Sequence, residues 1–383
     1  EAVTPLILSD PVPNNELVAT MKEAHALSQS LRPGKDFVTD PTHRNVSLQP
    51  TGLDTDETIE NPLLRNPRWR RHFLETALEA RTFFQRDRQY IRRDNRILLV
   101  DESTGRTMPD RRWRQGVQEA VELREGVTVT PPSQVRASMS FQQFFRAIPF
   151  LTGITGTAAE NRGELSRLYR LPVVVIPPHR PSQRVQLRPR TFAHQATKTQ
   201  ALVRDIASRH AHDQPVLISS VSIAASEALA RALEEARLPF ALLNARQDAQ
   251  ESAIIARAGQ SGQITIATSM AGRGTDIHLA PSVAAGSGLH VILSEPHGDP
   301  RLDRQFLGRA ARQGQPGSGQ VYRSFDDQIA HEHLPRWLSA CGARAPKIFG
   351  PILGLAQALA RQHRRRQRQL VLERDHWFER HLG

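Results

Sequence analysis

An α/β fold built on a parallel sheet is predicted for the second half of this chain, with an α+β domain ahead of it, and three observations carry the prediction. From about residue 190 to 330, β-branched runs alternate with stretches of helical length, the rhythm of a parallel sheet covered on both faces. One of those runs, Ile264 to Thr268, leads into a Gly-rich turn, Gly272-Arg273-Gly274-Thr275-Asp276. The first 130 or so residues lack that rhythm and mix short apolar runs with Pro- and Asn-rich breaks such as Asp10-Pro11-Val12-Pro13-Asn14-Asn15, Asn61-Pro62 and Asn66-Pro67.

Taken in order, Trp69 to Phe84 carries apolar residues at Phe73, Ala77, Ala80, Phe83 and Phe84, close to helical spacing, and is expected to be a packed helix. Residues 131–180 hold a helix over Phe141 to Phe150, a Thr-Gly-rich turn, and Val173-Val174-Val175-Ile176, a run of the buried parallel-strand kind. Pro177-Pro178-His179-Arg180-Pro181 reads as a linker. Beyond it, Val216 to Ser219, Phe240 to Asn244, Ile264 to Thr268, His290 to Leu293 and Gln320 to Phe325 are predicted strands, with helices over Ser226 to Ala236 and Ser252 to Ala258. An Ala-rich segment from Ile352 to Arg374 is predicted as one long helix. Ligands of parallel sheets bind at the carboxyl ends of strands, where Gly272 to Asp276 is expected.

About thirty residues after that turn comes Gln305-Phe306-Leu307-Gly308-Arg309-Ala310-Ala311-Arg312-Gln313-Gly314, which presents Arg309 and Arg312 at helical spacing. The planar, permanently charged guanidinium pairs bidentately with phosphate. Gly-Arg-Gly-Thr-Asp alone is weak evidence; the two motifs in this order point to one nucleotide-sensing surface.

On these residues the chain resembles SecA, the ATP-driven motor family of bacterial protein export, and in particular its second RecA-like, helicase-type motor domain. The resemblance implies that Arg273, Gly274, Asp276 and Gln305 bind ATP and that Arg309 and Arg312 act on the γ-phosphate as arginine fingers. It departs where the family usually has Ser-Gly in place of Ala310-Ala311, and Asp in place of Gln315. Tyr90 to Asp94, Val100 to Arg106, Arg111 to Trp113 and Gln118 to Glu122 are similar to the preprotein-crosslinking insertion, while Phe141 to Arg146 and Thr152 to Ala158 look like the last elements of the first motor domain. The implied division is an insertion-like domain over 1–130, the end of the first motor domain and a linker over 131–180, the second motor domain over 181–345, and the start of an Arg-rich helical scaffold over 346–383.

The sequence contains no Gly-x-x-x-x-Gly-Lys-Ser/Thr phosphate loop. Glu1-Ala2-Val3-Thr4-Pro5-Leu6-Ile7 resembles the stretch that follows the family's hydrolysis motif, with Val3 in place of Arg, so a fragment of a longer motor, inactive alone, is expected. Ile97-Leu98-Leu99-Val100-Asp101-Glu102 has the form of a strand presenting a catalytic carboxylate pair. With no phosphate loop before it, Asp101 and Glu102 are read as strand-end residues paired with Arg106 or Arg111.

The charge balance is +12 and the pI about 10.9, almost all of it from Arg, since Lys occurs only at 22, 35, 198 and 347. Arg361, Arg364, Arg365, Arg366 and Arg368 crowd one stretch of the final helix, which suits an anionic lipid or ribosome surface as well as a plainly solvated face. A nucleic-acid contact is a further reading, which fits less well because the stretch has no interleaved aromatics on which bases could stack. No apolar run approaches the ~20 residues of a membrane span, so a cytoplasmic location is expected, and the resemblance implies that it is peripheral on the inner membrane. Cys341 is alone, which reads as a buried or idle thiol, and the histidines lack ligand spacing, so no metal site is expected beyond the Mg²⁺ accompanying ATP. By the resemblance the partners are an unfolded preprotein, a SecYEG-type membrane channel and a second copy of the chain. A helicase fragment and a hydrolysis-deficient scaffold paralogue remain as alternatives.

Overall fold

The computed structural model describes residues 5–11, 15–40, 45–52, 59–100, 107–108, 111–113, 116–131, 133–243, 251–268 and 275–382. They divide into two compact units, one formed by residues 7–102 and 107–137, the other by residues 1–6, 103–106 and 138–383.

The first begins with strand β1 (Pro5–Pro11) and helix α1 (Asn15–Ser28), followed by the antiparallel pair β2 (Phe37–Asp40) and β3 (Asn45–Leu48). Helices α2 (Pro62–Arg65) and α3 (Pro67–Phe83) each start at an Asn-Pro pair. Asn61 and Asn66 accept from the amides of Leu63 and Arg68, and the proline occupies a position that needs no donor. The predicted apolar face of α3 is its buried face: Phe73, Leu74, Ala77 and Leu78 are nearly inaccessible, and Phe73, Leu74 and Leu78 pack with Met21, Phe37 and Leu64. Strands β4 (Tyr90–Arg93), β5 (Arg96–Val100) and β6 (Thr107–Met108) form an antiparallel meander, and α4 (Val117–Arg124) closes its core with Val117, Ala120 and Val121. The apolar run ending at Val100 is thus the middle strand of an antiparallel sheet, unlike the parallel strands that carry catalytic carboxylates in motor domains. Asp101, Glu102 and Arg106 lie outside the described residues.

Strand β7 (Ser133–Ser140), which pairs with β1, leads into α5 (Phe141–Arg146) and α6 (Arg162–Tyr169). Then come β8 (Gln183–Gln186), β9 (Arg190–Phe192), α7 (Gln195–His210), β10 (Val216–Ser220), α8 (Ile223–Glu235), β11 (Ala241–Leu243), α9 (Glu251–Arg257), β12 (Ile264–Thr268), α10 (Pro281–Ala285), β13 (Leu289–Leu293), α11 (Pro300–Leu307), β14 (Pro316–Ser324), α12 (Gln328–His333), α13 (Arg336–Arg344), α14 (Pro346–Phe349) and α15 (Ile352–Leu382). Seven strands make one sheet in the order β11-β12-β10-β13-β14-β8, with β9 on the far half of β14. Every pairing in it is parallel. All residues of β10, β12 and β13 are buried, as strands covered on both faces must be. One face packs on α7 and α8 through Leu202, Ile206, Leu229 and Leu233, and the other on α9 and α11 through Ile255 and Phe306.

Four expectations are corrected. Val173–Ile176 is not a strand: Val174, Val175 and Ile176 are exposed and pair with no described strand, and a parallel strand exists only where a neighbour takes up its backbone groups. The helix from Phe141 stops at Arg146, short of Phe150, which is fully exposed. Helix α8 begins three residues earlier than expected because the Ser222 hydroxyl caps it, accepting from Ala225. Of the two readings of Cys341, a buried or an idle thiol, the buried one is corrected, since the residue is exposed.

Candidate functional site

Helix α11 is the crossover between β13 and β14. Asp299 caps it, accepting from the Arg301 amide at 3.0 Å, Pro300 follows, and Gly308 ends it. Phe306, 1% exposed, anchors the helix to the sheet, and the guanidinium of Arg309 lies over its ring at 5.7 Å from the centroid. Arg309 already lies beyond the helix, in the turn that follows Gly308. Ala311 takes φ 57° and Gln313 φ 54°, with a 3₁₀ turn over Arg312–Gly314 that feeds directly into β14. The helical spacing expected of Arg309 and Arg312 is therefore absent, because the left-handed residue between them turns the second side chain away from the helix line. Ala311 occupies the position where glycine is usual in the resembled family, and a Cβ in that conformation is strained by about 1–2 kcal/mol.

Arg312 donates through Nη1 to Asp276 Oδ1 at 2.6 Å and through Nε to the Gly308 carbonyl at 3.2 Å. Partial burial works against ionisation of Asp276, but the bond and charge of Arg312 outweigh it and hold the carboxyl below its ordinary range. Gln305 donates from Nε2 to Thr157 Oγ1 at 3.3 Å, and Arg304 forms an ion pair with Glu160. The Thr-Gly-rich turn and the arginine segment are thereby joined within one unit. Of the six residues singled out in the sequence, Asp276 and Arg312 touch, Gln305 lies on α11 and Arg309 just beyond its end, and Arg273 and Gly274 lie outside the described residues.

The expected carboxyl-edge position is corrected for Asp276. Ala280 donates to the Gly259 carbonyl at 3.1 Å, and Gly262 to that of Asp213 at 2.9 Å, in the loops entering β12 and β10. By Asp276 the chain has run back toward the amino edge, where Arg312 waits before the first residues of β14.

The carboxyl edge instead carries a buried polar cluster that the sequence did not reveal. Lys198 of α7 donates to Asp327 at 2.5 Å with both side chains almost fully buried, and Asp327 also accepts from the Ser324 amide at 2.8 Å. Burial raises the Glu295 carboxyl to about 7, opposed by the charge of Lys198. His297 Nδ1 stands 2.6 Å from Asp303 on α11. No group of three or more His, Cys, Asp or Glu able to hold a metal ion occurs among the described residues. The Asp299-Pro300 pair, a helix-start signature, was the one sequence signal of this region.

The all-parallel sheet with helices on both faces is an α/β domain, and a family model described as the SecA P-loop domain matches residues 181–285 and 280–340 of it. A second, the SecA preprotein cross-linking domain, matches residues 16–122. The chain belongs to the SecA family. It is 44% identical to protein translocase subunit SecA 3 of Magnetococcus marinus over 383 residues, covering 97% of this chain and 58% of that protein. Protein translocase subunit SecA 2 of Chlorobium chlorochromatii is 40% identical over 389 residues, with 98% and 58% covered. The chain thus spans about 58% of the length of these relatives. Among solved structures, the E. coli DEAD-box protein SrmB aligns at 21% identity and a TM-score of 0.31, over 41% of this chain and 85% of that one.

Proposed function

We propose that this chain is part of an ATP-driven protein translocase, in which residues 181–345 close on ATP and residues 1–130 handle an unfolded preprotein. Residues 131–180 are then the end of a first motor domain and 346–383 the start of the scaffold. The observation that supports this best is the Arg312–Asp276 pair, which brings two of the residues assigned to nucleotide into contact, with Gln305 on the helix just ahead bonded to Thr157. In this reading Arg309 and Arg312 stabilise charge developing on the γ-phosphate, while Arg273, Gly274, Asp276 and Gln305 orient the nucleotide. Magnesium, which ATP brings with it, is assigned no ligand from this chain.

Closure and opening of the cleft would be passed to the preprotein domain and, at the membrane, to a SecYEG-type channel. No described helix is long and apolar enough to cross a bilayer, and we place the protein at the cytoplasmic face, peripherally. Of the five arginines on α15, Arg368 is paired with Glu164 and Arg364 is half-buried, so an anionic lipid contact would fall to Arg361, Arg365 and Arg366. A homodimer belongs to the same reading. The match to a preprotein cross-linking domain favours translocase over helicase.

The test is preprotein-stimulated ATP turnover by the full-length protein. Arg309→Ala and Arg312→Ala should each lower it by about a thousandfold or more, and wild-type rates in both variants would refute the assignment. The chain alone should bind nucleotide weakly and scarcely hydrolyse it. A second reading, a hydrolysis-deficient scaffold, is favoured by one observation, the strained Ala311 next to Arg312. It predicts no stimulated turnover in the full-length wild type.

A further inference from the structure

Asp303, on the first turns of α11, is held from two directions. Its Oδ1 accepts from the His297 amide at 2.9 Å and lies 2.6 Å from Nδ1 of the same residue, while Oδ2 accepts from Gln357 Nε2 of α15 at 2.6 Å. The same Gln357 nitrogen donates to the His297 carbonyl at 2.9 Å. His297 is 5% exposed and its Nε2 has no hydrogen-bond partner among the described residues, so the polar contact that orients the buried ring is the one to Asp303. Two turns further along α15, Arg364 lies against Gly298, where a Cβ would come within 3.0 Å of its guanidinium. Its charge also acts on Asp299, the cap of α11. Two points on one face of α15 therefore grip the entry to α11.

The other end of α11 carries the candidate nucleotide residues. The helix has eight residues, about two turns and roughly 12 Å, too short to bend without breaking its bonds. Phe306 fixes it to the sheet, Gln305 reaches Thr157, and Arg309 and Arg312 follow immediately.

We propose that Asp303 is a positioning residue that docks α11 onto α15, so that a displacement of α15 is carried along α11 to the arginine segment. The inference rests on the nucleotide-facing reading of Arg309 and Arg312 only for its functional consequence; the mechanical link stands on the bonds themselves.

Hydrogen exchange of the amides of residues 304–310, measured in wild type, Gln357→Leu and Gln357→Lys, tests the link. Leucine keeps the volume and removes the donor, whereas lysine restores a donor of similar reach. Exchange in this segment should speed up about tenfold in Gln357→Leu, with β10, β12 and β13 unchanged, and return toward wild type in Gln357→Lys. Unchanged exchange in 304–310, or equal acceleration in the central strands, overturns the proposal, the latter because Gln357 would then be a packing residue only. Should Gln357→Leu not fold, Asp303→Asn, which keeps one acceptor, decides by the same measurement. Affinity of the full-length protein for a non-hydrolysable ATP analogue separates the two readings. If the segment loosens as expected and affinity is unaltered, the link stands and the nucleotide role of the arginines fails.

Discussion

Arg312 donates to Asp276 across 2.6 Å although 36 positions separate them in the chain, and the bond draws the turn before β14 and the loop after β12 into one place. Both side chains are 39% exposed, so solvent screens the pair and its contribution to stability is about 0–1 kcal/mol. Arg312→Ala should leave the melting temperature almost unmoved. The Asp276 carboxyl, released from the bond and charge that lower it, should titrate higher than in wild type, as carbon-detected NMR would record.

His290 is fully buried on β13, 2.7 Å from Ser318 Oγ, and burial followed by the charge of Arg209 lowers its pKa to about 3. Between that value and the ordinary 6.5 the unfolded chain binds a proton that the folded chain refuses. The stabilisation is complete above about pH 6.5 and is lost as pH falls toward 3, with a slope of at most ~1.4 kcal/mol per pH unit. Urea denaturation from pH 7 to 4 should show this slope reduced in His290→Gln, which is less stable at pH 7 but less sensitive to acid.

Lys198→Met should be among the most damaging single changes in the sheet domain. It strands Asp327 and Glu295 without their cation in a place where side-chain exposure is 3% or less for the Lys198–Asp327 pair. Losing one partner of such a pair costs about 3–5 kcal/mol. The double variant Lys198→Met/Asp327→Leu should recover part of the loss in a denaturation cycle, whereas full additivity would show that the two groups do not interact.

Ala311→Gly removes a Cβ from a left-handed backbone at φ 57°. Relief of about 1–2 kcal/mol is offset by the greater freedom glycine has when unfolded, so a net gain of up to ~1 kcal/mol is expected in chemical denaturation. A loss would mean the Ala311 methyl, which is buried, contributes more through packing than its backbone loses through strain.

Much of the sheet was legible because its central strands are covered on both faces. Ile264–Thr268 was located to the residue, as a β-branched run flanked by breakers. The same logic failed at Val173–Ile176, since composition reports a tendency to be buried and supplies no neighbouring strand. It failed in the opposite sense at β8, where Gln183–Gln186 offers only Val185 as an apolar residue and the pairing comes from β14, more than a hundred residues away. At the candidate site, residue types gave Asp276 and Arg312 as companions, which they are. Their placement escaped because an i, i+3 spacing reads as helix unless a left-handed residue intervenes, and alanine gives no sign of that. The Lys198, Glu295 and Asp327 cluster is assembled by α7, the end of β13 and the end of β14, so no local pattern could announce it.

Helix α15 also has a consequence for how this protein is made. Asp375 accepts from the Ser140 amide at the start of α5, with 235 positions between them, and Arg368 clasps Glu164 on α6. On a ribosome adding 5–20 residues per second, the segment around α5 and α6 would wait roughly 10–50 s for its partner to emerge. For that interval the Ser140 amide and the Glu164 carboxylate lack the partners they have in the finished fold, so these contacts of α5 and α6 form only after nearly the whole chain has been made.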